Sequence, residues 1–224
     1  MLNFLPAGMI VAILLAPQLF RSSLGILDAS QPIPVYIEDG KSVPGYREYD
    51  PQLAKMALDA WSRESGNKLK FTESKERDGA LIRLRWISPT EGLYGETQRV
   101  DVKGKPGAIV YVMPQVSVQG EPLASRALQD TLLRDTVVYL TCLHELGHAV
   151  GLPHTNKFDD IMYYFGYGGN ILEYFMRYRN QLQGRADISK HSGISPGDAA
   201  VLHRLYQFRV MSFEFWVVST IQNS

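Results

Sequence analysis

Cysteine is nearly absent: the 224 residues contain one, Cys142, so no disulfide can form within the chain. The fold must rest on its core, its hydrogen bonds and any metal it holds. Neither sign of charge is in excess, with 23 Lys and Arg against 23 Asp and Glu. No basic cluster marks a surface for a polyanion, which excludes nucleic acid as a partner. Long apolar runs are confined to the start, where residues 2–20 carry no charge. That run is broken by Pro6 and Pro17 and is shorter than a comfortable bilayer span of roughly 20 residues. It reads as an export signal or a retained N-terminal anchor, 1–22, which would place the remainder outside the cytoplasm. Histidine is also scarce, at five residues, and there is no internal repeat or low-complexity segment. The length suits one domain, 31–206, with an extension, 207–224, whose apolar stretch 208–221 would pack on the domain or form a docking surface.

Along the domain the periodicity alternates between two kinds. Residues 34–38 alternate as a strand does, and after a turn-rich stretch Leu53, Met56, Ala57, Ala60 and Trp61 recur at helical spacing, with Asp50 as expected N-cap and Gly66 as the stop. Two strands are expected at 68–72 and 80–86, the second with Ile82, Leu84 and Trp86 on one face and Arg83 and Arg85 on the other. Residues 91–107 read as a glycine-rich connection into a strand over 108–113. Beyond Leu123 the period becomes helical and apolar on two sides, which predicts a central buried helix. A further helix is expected over 170–182. This order predicts an α+β domain: a small twisted mixed sheet with a central helix and a C-terminal helix.

That central helix ends in His144-Glu145-Leu-Gly-His148-Ala-Val-Gly151-Leu-Pro-His154. Positions i and i+4 share a helix face, so His144 and His148 can offer two imidazoles to one ion. Gly151 permits the positive φ that turns the chain and brings His154 back as a third ligand. Three neutral nitrogens with a fourth position open describe a catalytic rather than a structural zinc. Glu145, in a different sector of the helix, is placed to reach the metal's water without ligating the metal.

The complete H-E-x-x-H-x-x-G-x-x-H pattern resembles that of the metzincin zinc peptidases, and the chain looks most like a matrixin-type catalytic domain over about 33–206. Thr155 follows the third histidine, Asp160-Ile-Met162-Tyr163 is similar to a Met-turn, and Ile194-Ser-Pro-Gly-Asp198 to Tyr206 looks like the closing helix. The resemblance implies a zinc endopeptidase in which Met162 floors the metal site, and it implies a longer-than-usual connection, 166–191, shaping a specificity pocket. Departures accompany it. Tyr164 stands where matrixins have proline, as a packing residue or as an oxyanion stabiliser of the kind astacin-like relatives use. Cys142 lies on the active-site helix, so a cysteine-switch propeptide is absent. His191 and His203 are too few for a second structural zinc, and Glu91, Glu96 and Asp101 show no recognisable calcium spacing, leaving Ca2+ without a motif.

The expected activity is peptide-bond hydrolysis by a zinc-activated water, with Glu145 as general base and then general acid. A peptide or protein substrate would lie along an open strand edge, expected at Ile109, Val110 and Tyr111. Two alternatives stay open on sequence alone. One is a zinc-containing envelope binding or scaffold protein without turnover; the other is a zinc hydrolase of a non-protein amide.

Overall fold

The computed structural model describes residues 26–206. The expected signal or anchor, 1–22, and the extension 207–224 lie outside the described residues. Strand β1, Ile33–Ile37, lies between β2, Phe71–Glu73, and β3, Ile82–Trp86, both parallel to it. β3 alternates between buried and half-buried positions as its sequence predicts. The next two strands, β4 (Gly95–Val102) and β5 (Lys105–Val112), form an antiparallel hairpin. The sheet order is β2-β1-β3-β5-β4. The mixed sheet of an α+β domain is therefore present.

The hairpin corrects the expected edge. β5 lies inside the sheet: Ile109, Val110 and Tyr111 face Arg83, Leu84 and Arg85 on one side and Gln98, Thr97 and Glu96 on the other. They have no open edge for a substrate, and β4 holds that position instead. The glycine-rich connection was an incorrect expectation for 95–102. Its turn is carried by Lys103 and Gly104, at φ 53° and 82°, the pair of left-handed residues a type I′ turn requires. The Asp101 carboxylate accepts the Gly104 N–H at 2.8 Å and closes it.

Helix α1, Asp50–Glu64, buries Leu53, Ala57, Ala60 and Trp61 against the core. Asp50 is not its N-cap. Tyr49 occupies that position, and Asp50, inside the first turn and fully buried, accepts from the Arg134 guanidinium and from the Arg47 N–H. A buried Arg with a bidentate carboxylate partner is a more demanding use of that side chain than capping.

The helical stretch beyond Leu123 is two helices, α2 (Leu123–Gln129) and α3 (Thr131–Ala149). Asp130 divides them with an extended backbone, and its carboxylate caps α3 by accepting the N–H groups of Leu132 and Leu133, both at 3.0 Å. α3 is buried on nearly every side, between α1 and the β4–β5 hairpin, as its two apolar stripes predict. Trp61 ties α1 to it, donating its indole N–H to the Leu143 carbonyl at 2.9 Å. Helix α4, Ile171–Arg179, lies on another flank of α3, with Tyr178 stacked on Tyr139. Asn170 caps its start, and it ends three residues short of the expected 182. The final helix, α5, runs from 196 to 206. Ser195 and Asp198 form a capping box at its start, each side chain accepting the other's backbone N–H.

Candidate metal centre

His144 and His148 face the same way from α3, their ring centroids 4.8 Å apart. Gly151, at φ 110°, ends the helix in a Schellman turn: its own N–H goes to the His148 carbonyl at 3.0 Å and that of Leu152 to Gly147 at 2.9 Å. The chain then reverses and brings His154 over the two helix residues, 3.3 Å from His144 and 3.0 Å from His148 between Nε2 atoms.

The backbone fixes the tautomers. A carbonyl can only accept, so the 2.6 Å contact of His144 Nδ1 with the Ile161 oxygen and the 2.9 Å contact of His148 Nδ1 with the Leu152 oxygen place protons on both Nδ1 atoms. Their Nε2 lone pairs then converge on one point. Burial, and for His144 the neighbouring His148 ring, lowers the pKa of His144 to about 3 and of His148 to about 4, and burial also lowers that of His154. Three neutral nitrogens facing one another, with at most one proton to share among them, are poorly satisfied by each other. A cation of the borderline-soft kind that imidazole prefers satisfies all three, and zinc fits this donor set. Among the described residues these three are the group of metal-capable side chains that come together.

Two further layers hold the triad. Met162, fully buried, packs on α3 so closely that a Cβ on Gly147, between the two helix histidines, would fall 2.4 Å from its sulfur. Ile161, just before it, is a hub: its carbonyl takes the His144 proton, and its N–H goes to Asp198 Oδ2 on α5 at 2.7 Å. That link between the C-terminal helix and the first histidine was not visible in the sequence.

Glu145 points toward β4. Its carboxylate is nearly enclosed, which pushes its pKa up to about 7 against the hydrogen bond from Thr97. Tyr164 lies with its ring tilted against His154, centroids 4.8 Å apart, and curls over Gly166. Its neighbour Tyr163 is buried and donates to the Gly168 carbonyl. Glu91, Glu96 and Asp101 serve local bonds to Ser88, Gln98 and Gly104 and do not converge. His203 is half-buried and donates to the Glu64 carbonyl, while His191 is exposed. Thr97, Gly95 and Arg99, which meet α3 from β4, were missed; the alternation of Gly95, Thr97 and Arg99 on one face was the available signal.

A family model described as matrixin, the peptidase family M10, matches residues 46–171, more than half of the chain. The chain belongs to this family. The matrixin family places it among the zinc metallopeptidases, in agreement with the histidine triad. No curated protein matches it in sequence. Among solved structures, archaemetzincin from Methanopyrus kandleri is similar over 80% of this chain and 97% of that one, at 14% identity and a TM-score of 0.42. So loose a likeness adds nothing about chemistry, and the matrixin assignment rests on the family model.

Proposed function

We propose that the chain is a zinc-dependent endopeptidase in which Glu145 is the general base. The observation that carries this reading is the convergence of three imidazoles, two of them tautomer-fixed, beside a buried carboxylate that faces the edge strand. When bound, zinc supplies a Lewis acid that polarises the scissile carbonyl and acidifies a water. His144, His148 and His154 hold it, with Leu152 and Ile161 fixing the first two rings. Glu145 takes a proton from the attacking water and returns it to the leaving amine, work suited to a carboxyl whose pKa lies near neutrality.

The substrate's place is the open edge of β4. An extended peptide adds backbone hydrogen bonds there as a further strand, which brings its carbonyl past Glu145. Tyr164 packs on His154 and shapes the mouth of the site. Selectivity comes from the surrounding loops, where Phe165 and Tyr167 on one side and Leu93 and Tyr94 on the other are exposed.

The test compares the zinc-loaded wild type with Glu145→Ala on a mixed peptide library. The variant should bind one zinc yet cleave at least about a hundredfold more slowly, the scale of general acid–base catalysis. Equal cleavage by both would remove Glu145 from the chemistry. Zinc binding without cleavage by the wild type would favour a scaffold role.

A further inference from the structure

β4 presents three positions to the active-site helix in alternate register. Gly95 lies against the Glu145 side chain, so that an added Cβ would stand 2.5 Å from Oε1 and 2.9 Å from Cδ. The Thr97 hydroxyl is 2.8 Å from Glu145 Oε2 and 2.8 Å from the Glu145 carbonyl. Arg99 donates to the His148 carbonyl at 2.7 Å. The strand at the edge of the sheet among the described residues thus has an inner face indexed on the base and on the second histidine.

We propose that Thr97 is a positioning residue, its hydroxyl holding the Glu145 carboxylate in one orientation over Gly95 so that the strand aligning the substrate also sets the place of the base. This rests on the reading of Glu145 as general base. The physical case is geometric. A carboxylate on a two-carbon stem has several rotamers, and a buried one with a single side-chain donor keeps the rotamer that donor selects. One oxygen is fixed by the hydroxyl; the other lies over a bare Cα, where any side chain would expel it. The remaining acceptor capacity of the carboxylate is left for the water it must deprotonate. Because the strand that aligns the substrate also orients the base, Thr97 ties the register of β4 on α3 to the place of the carboxylate.

The experiment uses the zinc-loaded full chain with four substitutions: Thr97→Val, Thr97→Ser, Gly95→Ala and Glu145→Ala. Thr97→Val removes the hydroxyl at nearly constant volume, and kcat should fall about tenfold or more with KM and zinc stoichiometry unchanged. Thr97→Ser should restore most of kcat, and Gly95→Ala, acting on the same carboxylate from the other oxygen, should lower kcat in the same way. A second readout needs no metal. In the apo protein, the fall in Tm on Thr97→Val should be smaller when Glu145 is already alanine, because the carboxylate's share of the coupling is then gone while the hydroxyl's bond to the Glu145 carbonyl remains. An unchanged kcat in Thr97→Val, no rescue by serine, or additive changes in Tm would overturn the proposal. Full activity in Glu145→Ala would instead overturn the reading beneath it, so the two failures are distinguishable.

Discussion

Gly147 sits between the two helix histidines because nothing larger fits. A Cβ there would stand 2.4 Å from the Met162 sulfur and 2.9 Å from the Trp61 ring, both buried. Gly147→Ala gains helix propensity of roughly 1 kcal/mol but must displace Met162 and Trp61, and overpacking of this kind costs about 1–3 kcal/mol. The expected result is a lower Tm with weaker zinc binding, measured by thermal unfolding and metal titration; an unchanged or higher Tm would show that these two side chains yield. Tyr164 offers a second decision at this scale. Its ring, tilted against His154 at 4.8 Å, accounts for its position without its hydroxyl. Tyr164→Phe should keep kcat within about threefold, whereas an oxyanion donor is worth about a hundredfold or more. The metal ligands were legible in the sequence because a catalytic zinc site draws its ligands from one helix and the turn after it. Thr97 was not, since its partner lies 48 residues away and no local pattern joins them.

Elements were legible where one face is buried and the other wet. β3 and α1 met that condition and appear close to their expected bounds. β4 did not: as an edge strand it is half-buried on most positions, so its polar residues read as a connection. The break between α2 and α3 was hidden for another reason, because apolar spacing continues through Asp130 and only the cap reveals the boundary. Asp130 also accepts from Arg179 at 2.8 Å, joining the start of α3 to the end of α4. Asp130→Ala should therefore cost about 1–2 kcal/mol, mostly through the lost cap, with the surface-weakened ion pair a minor part. Urea unfolding measures it, and a cost below about 0.5 kcal/mol would mean that the α3 N–H groups find water at no penalty.

Across the whole molecule the metal centre is fastened from three directions: α1 through Trp61, β4 through Thr97 and Arg99, and α5 through Asp198 and Ile161. The last has a consequence at a distance. Asp198→Ala leaves the buried Ile161 N–H without its acceptor and loosens the residue whose carbonyl orients His144. Loss of such an outer support costs roughly 10–100-fold in metal affinity, and competition with a chelator should show a shift of that size. No change would mean that the Tyr174 hydroxyl on the Ile161 carbonyl and the Thr155–Met162 bond suffice to keep the turn in place. Zinc in turn should stabilise the fold, because binding to the native state alone adds RT ln(1 + [L]/Kd) to its stability.

The central claim is that three histidines and one glutamate make a single zinc site that cleaves peptides. Its most direct test is the addition of zinc to the metal-free protein while cleavage of a quenched peptide library is followed. The account predicts no cleavage at the start, a rise in proportion to added zinc, and a plateau at one equivalent. Cleavage without metal, or a protein that takes up its full equivalent and stays silent on every peptide, would contradict it.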